Sequence, residues 1–415
     1  MKIAFVSYEC PPEAGGGIGT YVAQAARMMA ARGHRVEIFA GSADRTGRDE
    51  WPDGVVVHRV AAADRRTFPA KIARVIAERN QVVSFDVIEG PDYMAEAGET
   101  RKLIPDVPFV VKLHTSLLMV KQIEAEVIGP VRRLQARWQA FRRGQPPEWS
   151  PRHPVAVKEM HEVRTADRIA SPSRSIGERV VAEWEADAGR VDFFPYPFEP
   201  AAEYLAIPPG GESQVVTFVG RLEMRKGVIN LARAIPRVLR ACPKAKFWFV
   251  GGMLGSPTPG VSMQEYLQRM LRKQAASVEF LGRRPPESLP EILAQSAVTV
   301  FPSLWESFGY VCLEAMAAGR AVIGSRNCGL AELLDGGRLG RVVDPRSPAD
   351  LAAKIVELLH DARLRAELGA AARERVLSAY APDTVGPQQE ASYERAVAVR
   401  QPIPMPLEAQ REAQR

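Results

Sequence analysis

The chain has 415 residues, of which 46% are hydrophobic and 25% are charged. This length predicts two globular domains, and the composition excludes a disordered, collagen-like or disulfide-built protein. The net charge of +6 suits an anionic ligand, an anionic membrane or a nucleic acid, without choosing among them.

The N-terminal residues Lys2–Ser7 read as a first strand, because no cleavage site of small residues follows their short apolar run. No apolar run has the length needed to span a bilayer, so we expect a cytoplasmic protein whose only membrane contact is peripheral, at the inner face. The four cysteines lie far apart without CxxC spacing, which predicts neither a zinc site nor disulfides; they are Cys10, Cys242, Cys312 and Cys328.

Short apolar runs alternate with helical patterns along the chain. The first predicted helix is Ile18–Arg32, which Gly33 ends. The strands predicted in the first half are Lys2–Ser7, His34–Phe39, Val55–Val60, Val83–Ile88, Phe109–Leu113 and Arg168–Ser171. Those of the second half are Val215–Val219, Lys246–Val250, Val278–Leu281, Val298–Phe301, Ala321–Ile323 and Gly340–Val343. Such alternation predicts parallel sheets with helices on both faces.

The segment Pro195–Ser213 interrupts this rhythm with several prolines and glycines, and we interpret it as an interdomain linker. The predicted domains are therefore residues 1–205 and 206–384. A helix at about 385–400 can pack back on the first domain. The Pro-containing tail after Arg400 is predicted to fray.

The turn after the first strand is rich in glycine. In open α/β sheets, ligands bind beyond the carboxyl ends of the strands. Gly15, Gly16 and Gly17 precede the first helix, where backbone amides can approach an anion, although a simple tight turn is the alternative. Thr20 stands where the dinucleotide fingerprint has its third glycine, which disfavours a Rossmann dehydrogenase.

A second turn is cationic. The strand Val215–Val219 leads into Gly220 and Arg221, and Lys226 follows five residues after Arg221, just before a predicted helix. Arginine can hold a diphosphate bidentately and lysine adds a point charge, so we favour phosphate binding over a solvated basic loop.

A third turn carries two glutamates. Glu306 precedes a helix, and Glu314 lies eight residues later, about two helical turns inside it. The helix N-terminus near Phe308–Tyr310 offers amides to phosphates, while Glu314 and Glu306 can accept hydrogen bonds from ribose and sugar hydroxyls. The alternatives are a capping role for Glu306 and a surface charge for Glu314.

The Glu306-x7-Glu314 pattern resembles the paired-glutamate motif of family 4 retaining glycosyltransferases, which have the GT-B fold. Further landmarks occur in the family's order, and the match covers most of residues 1–380; they are the Gly-rich first turn, Leu113–Thr115, Ala166–Ser173, Gly220–Arg221 and Lys226–Gly227. The resemblance implies two facing, doubly wound Rossmann-like domains with a cleft between them.

The resemblance also implies that the second domain binds a nucleotide-diphosphate sugar, with uridine diphosphate as the family's most frequent leaving group. The implied donor-binding residues are Gly16, Gly17, Arg221, Lys226, Leu281, Arg283, Glu306, Phe308, Gly309, Tyr310 and Glu314. Glu306, His114, Arg221 and Lys226 would serve catalysis with retention at the anomeric carbon. No metal or other cofactor is expected. A bacterial polysaccharide or envelope glycan pathway is the expected context.

The acceptor, a saccharide or a lipid-linked sugar, should meet the first domain. Glu89 and Asp92 follow a predicted strand and can contact acceptor hydroxyls, or they can be turn and capping groups. His114 stands at another strand end, where it lines the ligand edge unless it is structural.

Residues 131–143 form an amphipathic helical pattern. Val131, Leu134, Trp138 and Phe141 make one stripe among five arginines. Such a helix can lie on an anionic membrane, or it can pack on its own domain with the arginines in solvent.

Two rival functions share the predicted cleft: a GT-B-like nucleotide-sugar 2-epimerase and a non-catalytic nucleotide-sugar-binding protein. Nucleic-acid binding ranks last, because the chain has no interleaved aromatic platform for stacked bases.

Overall fold

The computed structural model describes residues 1–13 and 15–400, so the tail predicted to fray after Arg400 lies outside the described residues. Within these described residues, fourteen strands form two sheets. The first sheet contains β1 Lys2–Ser7, β2 Arg35–Ser42, β3 Gly47–Glu50, β4 Val56–Ala61, β5 Val87–Pro91, β6 Phe109–Lys112, β7 Arg168–Ser171 and β8 Val191–Phe193. The second contains β9 Val215–Val219, β10 Lys246–Val250, β11 Val278–Gly282, β12 Val298–Phe301, β13 Ala321–Ser325 and β14 Arg341–Val343.

Helices cover both sheets. Those up to residue 205 are α1 Gly17–Ala31, α2 Phe68–Val83, α3 Gly98–Leu103, α4 Leu117–Val127, α5 Pro130–Arg142, α6 Pro154–Thr165, α7 Arg174–Trp184 and α8 Ala202–Leu205. The later helices are α9 Val228–Ala241, α10 Met263–Met270, α11 Leu289–Ala294, α12 Tyr310–Ala317, α13 Gly329–Leu333, α14 Pro348–His360, α15 Ala362–Ala379 and α16 Pro382–Arg400. Among the described residues, no helix combines the length and apolarity that crossing a bilayer requires.

Each sheet is doubly wound. The first has the order β3-β4-β2-β1-β5-β6-β7-β8, with only β3 antiparallel to its neighbour, and the second has the order β11-β10-β9-β12-β13-β14, all parallel. The chain reverses its direction of winding at β1 and at β9, and such switch points open a crevice at the carboxyl ends of the strands. The turns that follow β1, β9 and β12 therefore lie at ligand edges.

The strand predictions are accurate where runs are apolar and buried, and wrong at three places. Val83, predicted to begin a strand, ends α2, so that strand begins at Val87. Two edge strands were not predicted: β3 consists of four polar or small residues, and β8 has only three residues. Neither carries the alternation by which strands are recognised.

The segment between the sheets is fastened to the second domain by three arginines. Arg373 donates to the carbonyls of Leu205 and Ile207, and Arg320 donates to that of Pro208. Arg365 donates to Gly211 O at 2.6 Å. These bonds to backbone carbonyls attach most of this segment to the second domain.

The last helix returns to the first domain. On α16, Gln389 and Tyr393 bind the Glu89 carboxylate, and Ser392 donates to Asp192 at 2.7 Å. The chain thus crosses between the domains twice, near Phe198 and near Tyr380, and the Phe198 amide donates to Tyr380 O at 2.7 Å.

Candidate active site

The cationic turn after β9 lies against the turn after β12. Gly227 makes this possible: its φ is 70°, and an added Cβ would lie 1.8 Å from Pro302 O. Lys226 Nζ forms a short ion pair with Glu306 Oε2, and Arg225 Nη1 lies 3.5 Å from the same oxygen. Two cations from one loop thus meet one carboxylate from the other.

Charge complementarity holds this cluster together although it is largely buried. Burial raises the pKa of Glu306, but Lys226 and Arg225 outweigh it and hold that pKa at about 2. Burial lowers the pKa of Lys226, and Glu306 offsets part of this effect. Arg221 differs, because its side chain is 61% exposed and its nearest carboxylate, that of Glu223, lies 3.6 Å away. Arg221 is therefore the cation of this turn that is free to reach a ligand.

The start of α12 offers backbone amides rather than side chains. Gly309 is the N-cap with φ 116°, and no side chain caps the helix. The side chains of Phe308 and Tyr310 are buried in the core, so only their backbone can face a ligand. An uncapped helix N-terminus favours an anion.

Glu314 lies half-buried on the same helix. Burial raises its pKa to about 7, and its carboxylate has neither a hydrogen bond nor an ion pair among the described residues. Burial, followed by the charges of Glu314, Glu203 and Glu287, raises the pKa of Tyr204. Glu314 therefore lies near Tyr204, and the helices α12 and α8 that carry these two residues are in contact.

The end of β11 and the loop after it carry the two residues predicted to lie near the nucleotide base. Leu281 is half-buried in β11, and Arg283 is exposed just beyond the strand. Arg283 forms no ion pair among the described residues.

The two domains meet next to Glu306. Thr115 Oγ1 of the first domain donates to Ser307 Oγ at 3.2 Å, and Ser173 Oγ donates to Ser307 O at 2.7 Å. Because Thr115 follows His114 and Ser307 follows Glu306, these contacts bring the predicted catalytic residues of the two domains together.

His114 is held in a defined orientation. Its amide donates to Asp92 Oδ1 at 2.8 Å, and its ring Nδ1 lies 2.6 Å from the Tyr196 hydroxyl. That hydroxyl donates to Leu113 O at 2.7 Å, so its oxygen accepts from Nδ1–H and the lone pair is on Nε2. Burial, with the charges of Lys112 and Arg65, lowers the pKa of His114 far below its usual value. The imidazole is therefore neutral at pH 7 and presents an acceptor.

An aromatic stack continues from His114 into the second domain. The ring centroids of Tyr196 and Phe308 lie 4.7 Å apart, and those of Tyr196 and Tyr310 lie 5.6 Å apart. The Tyr310 hydroxyl also donates to Pro197 O at 3.0 Å. The linker residue Tyr196 thus joins the histidine of one domain to the start of α12 in the other.

The glycine-rich turn after β1 is shaped by a carboxylate. An added Cβ on Gly16 would lie 2.2 Å from Glu9 Oε2, whereas Gly17 has nothing within 4 Å. Glu9 Oε2 accepts from the Gly19 amide at 3.3 Å, and Arg65 binds both Glu9 and Glu96. Glu9 therefore occupies the N-terminus of α1 beside Gly16, whereas the exposed Gly15 and Gly17 have open space around them.

The two carboxylates predicted to meet an acceptor are buried. Glu89 accepts from Tyr21, Tyr393 and Gln389, so the structure assigns its oxygens to the docking of α16 rather than to the cleft. Asp92 is fully buried, and its pKa is raised to about 8 by burial. It holds the His114 backbone, and its second oxygen has no partner among the described residues.

A cavity of about 700 Å³ opens between the domains beside this site. Its walls come from α7 on one side and from the turn before Glu306 and α13 on the other; they include Arg174, Ser175, Arg179, Trp305, Cys328 and Glu332. Arg179 lies 4.7 Å above the Trp305 ring. The sequence analysis assigned none of these residues to a site, since their proximity depends on the domain arrangement.

The structure consists of two doubly wound α/β domains. One domain has a cation–carboxylate cluster at its ligand edge, and the other has a neutral histidine at its own. This arrangement is the GT-B architecture of sugar-transferring enzymes. The chain belongs to the family 4-like glycosyltransferases. Residues 16–197 match the family described as "Glycosyl transferase 4-like domain", and residues 213–361 match "Glycosyl transferases group 1".

Similar proteins agree with this assignment. A D-inositol 3-phosphate glycosyltransferase of Acidothermus cellulolyticus is 30% identical over 93% of this chain and 88% of its own length. A glycogen synthase of Mycobacterium tuberculosis is 27% identical over 93% and 92%. The chain is thus a glycosyltransferase of the hexosyltransferase type.

Solved structures share the fold. Sucrose-phosphate synthase from Thermosynechococcus elongatus superposes with a TM-score of 0.74 at 22% identity, over 96% of this chain and 99% of that one. The Anabaena protein HepE in complex with UDP-glucose gives 0.65 at 16% identity, over 95% and 99%. The catalytic domain of starch synthase IV from Arabidopsis thaliana, bound to ADP and acarbose, gives 0.68 at 15% identity, over 96% and 99%.

Proposed function

We propose that this enzyme transfers a hexosyl group from a nucleotide-diphosphate sugar to a hydroxyl group of a saccharide or lipid-linked acceptor, with retention at the anomeric carbon. The donor proposed first is a UDP-sugar, because the fold neighbour HepE is described in complex with UDP-glucose; the ADP-bound starch synthase keeps adenosine as the second choice. The proposed context is bacterial polysaccharide or envelope glycan assembly in the cytoplasm.

One observation carries the proposal: Lys226, Arg225 and Glu306 form a charge cluster directly beside the contact between Ser307 and Thr115, next to His114. Cations suited to a diphosphate and groups suited to a sugar therefore lie at one point of the cleft. Arg221 adds an exposed guanidinium on the same turn.

Donor binding would exchange partners within this cluster. In the structure Lys226 is paired with Glu306. A diphosphate at the start of α12 competes for Lys226 and also draws in Arg221, which frees Glu306 to accept hydrogen bonds from the hydroxyls of the transferred sugar. Glu314 then accepts from the ribose, and the backbone of Phe308, Gly309 and Tyr310 surrounds the phosphates.

The reaction breaks the bond between the anomeric carbon and the phosphate oxygen and forms a bond to the acceptor oxygen on the same face. Negative charge grows on the leaving diphosphate, where Arg221, Lys226 and the helix N-terminus stabilise it electrostatically. The acceptor proton passes to the leaving phosphate oxygen. Nε2 of the neutral His114 accepts a hydrogen bond from a hydroxyl group beside the reacting centre.

These cations supply the charge neutralisation that a divalent metal provides in other transferases, so we propose that transfer requires no metal. Unchanged initial rates after treatment with EDTA are expected. A loss of activity that Mg²⁺ or Mn²⁺ restores would contradict this part of the proposal.

The test of donor recognition is thermal unfolding with UDP, GDP, ADP and TDP, on the wild type and on Arg221→Ala. A ligand at one hundred times its Kd adds about 2.7 kcal/mol of stability, and each kcal/mol moves the Tm by roughly 2–4 °C. We expect UDP to raise the Tm of the wild type by several degrees and that of the variant by much less. Stabilisation by no nucleotide, or by all of them equally in both proteins, would refute the assigned phosphate site.

A nucleotide-sugar 2-epimerase would use the same donor groups without an acceptor. Incubation of enzyme and donor alone, followed by NMR of the sugar, separates the two functions. Transfer predicts no new isomer and a nucleoside diphosphate that accumulates only with acceptor. A non-catalytic binding protein would give neither product.

A further inference from the structure

The helix α5 (Pro130–Arg142) has its apolar stripe turned towards solvent. The exposed fractions of Val131, Leu134, Trp138 and Phe141 are 69%, 68%, 58% and 82%, and no residue of the helix is buried. A surface helix of a globular protein ordinarily buries such a stripe against the core. Here the stripe is accessible along the whole helix.

The opposite face of α5 is the one towards the protein. Ala136 and Ala140 lie on the far side of the helix from the stripe and are half-buried, as are Arg132 and Arg133. Small residues let the helix approach its own domain while the large apolar side chains point away. The helix is therefore oriented for contact with something outside the chain.

Arginines border the stripe and have no acidic partner. Arg137 and Arg142 flank it on its two sides at helical spacing, and both are exposed. None of the five arginines from Arg132 to Arg143 forms an ion pair within the described residues, and residues 130–143 contain no Asp or Glu. Arg142 lies 4.8 Å above the Trp138 ring.

These features favour one kind of partner for the exposed face of α5. A second copy of the chain would cover the apolar stripe only by bringing two sets of five unpaired arginines together, which costs repulsion. An anionic bilayer offers an apolar interior for the stripe and negative headgroups for the arginines at its border. We propose that α5 is a membrane-contact helix that lies in the interface of an anionic lipid bilayer.

The position of α5 connects this contact to the cleft. The helix α4 begins three residues after His114 and has 11 residues, about 16 Å, and α5 begins three residues beyond its end. Val127 packs on the core of the second domain, and Glu126 pairs with Arg346 at 2.5 Å. A bilayer under α5 therefore lies close to the cleft, where a lipid-linked acceptor would enter. This last point rests on the proposed transferase function, whereas bilayer binding does not.

The experiment is co-sedimentation of the full chain with vesicles of phosphatidylcholine alone or mixed with phosphatidylglycerol, at 50 and 500 mM salt. We expect binding to the anionic vesicles that falls with salt, since exposed charges are screened. Arg137→Gln with Arg142→Gln should lower the partition coefficient by about fivefold per arginine. Trp138→Ser with Phe141→Ser should lower it by at least about tenfold.

A matched control carries Val82→Ser and Leu377→Ser, two apolar residues exposed elsewhere that should not affect binding. Circular dichroism and the UDP-induced Tm shift show whether every variant is folded and binds donor, which separates failure here from failure of the proposed function. Equal binding to neutral vesicles, no binding to anionic ones, or binding unchanged by the α5 variants would each overturn the proposal. Concentration-dependent dimerisation lost in Trp138→Ser would instead make the stripe a contact between copies.

Discussion

At the scale of single residues, the Glu306 carboxylate can both pair with cations and accept hydrogen bonds. This carboxylate compensates two largely buried cations, Lys226 and Arg225, and its pKa of about 2 keeps it ionised at any physiological pH. A carboxylate that is always charged cannot serve as a titrating acid–base group near neutrality. Its proposed role is therefore to accept hydrogen bonds and to hold cations in place.

The first prediction concerns Lys226. Lys226→Met should lower kcat/KM by about tenfold to a few hundredfold, because a charged hydrogen bond to the diphosphate contributes about 1.5–3 kcal/mol. Initial rates at saturating acceptor measure the effect. Lys273→Gln, at an exposed position away from the cleft, is the matched control and should leave kcat/KM unchanged. An equal loss of kcat/KM in both variants would show that Lys226 has no specific role in binding the diphosphate.

The second prediction concerns Asp92, whose pKa is raised from 3.8 to about 8 by burial. Between pH 3.8 and pH 8 the Asp92 carboxyl group keeps its proton in the folded chain and loses it in the unfolded chain. The stability that this proton contributes is therefore fully present below about pH 4 and is lost as the pH rises to 8. Asp92→Asn does not titrate. Its Tm should fall less than that of the wild type between pH 5 and pH 8, by at least about 2 °C. Identical pH dependence in both proteins would contradict the assignment.

Sequence reasoning found the residues of this site that have a fixed spacing along the chain, and missed those whose role depends on distant partners. Glu306, Lys226 and His114 follow strands and could be predicted. Arg225 could not be distinguished from a solvated neighbour of Lys226, because its burial depends on the second turn. Glu89 was interpreted as an acceptor ligand, since its partners on α16 lie 300 residues away.

At the scale of elements, the docking of α16 shows how a buried carboxylate fixes one helix. Glu89 receives hydrogen bonds from Tyr21 on α1 and from Tyr393 and Gln389 on α16. Ser392 and Arg395 of the same helix bind Asp192. Polar contacts therefore add to the burial of Val385, Tyr393 and Ala396 in fixing the position of α16.

The third prediction is that Tyr393→Phe lowers the free energy of unfolding by about 1–2 kcal/mol, because the Glu89 carboxylate loses a buried hydrogen bond. The expected fall in Tm is about 2–8 °C, measured by calorimetry at pH 7. Val399→Ala, at a residue 64% exposed on the same helix, should change the Tm by less than 1 °C. No difference between the two variants would mean that the Glu89 contact does not stabilise the docking.

The difference between local apolar patterns and contacts with distant residues also explains which elements could be predicted from the sequence. Strands such as Val215–Val219 and Val298–Phe301 are buried and apolar, and their predicted and observed bounds coincide. The polar strand β3 forms only because it pairs with β4, which is tertiary information. The helix α5 was predicted from its apolar stripe. The periodic pattern shows which residues share one face of the helix, but it does not show which face points towards solvent.

At the scale of the whole molecule, the segment between the sheets is less a free linker than a part of the second domain. Arg320, Arg365 and Arg373 bind its carbonyls from residue 204 to 211. The pKa of Arg320 is lowered to about 10 by burial and by the two neighbouring arginines. Backbone carbonyl oxygens accept from all three arginines, and the charge of Asp361 also acts on Arg365.

The fourth prediction follows from the planar donor arrangement of arginine. Arg320 donates to Pro208, Ser296 and Ala318, and a lysine cannot reach three carbonyls in one plane. Arg320→Lys should lower the Tm by about 4–8 °C through carbonyls left unpaired, at about 1–3 kcal/mol each. Arg237→Lys is the exposed control. A Tm within 1 °C of the wild type would show that solvent replaces the lost bonds.

The bond between Phe198 N and Tyr380 O joins the two places where the chain passes from one domain to the other. Because the two crossings lie side by side, we expect any rotation of one domain relative to the other to take place about a line near this bond, with twisting and sliding resisted. Such a constraint would bring the same pairs of residues together each time the domains approach, and little binding energy would be needed to align them.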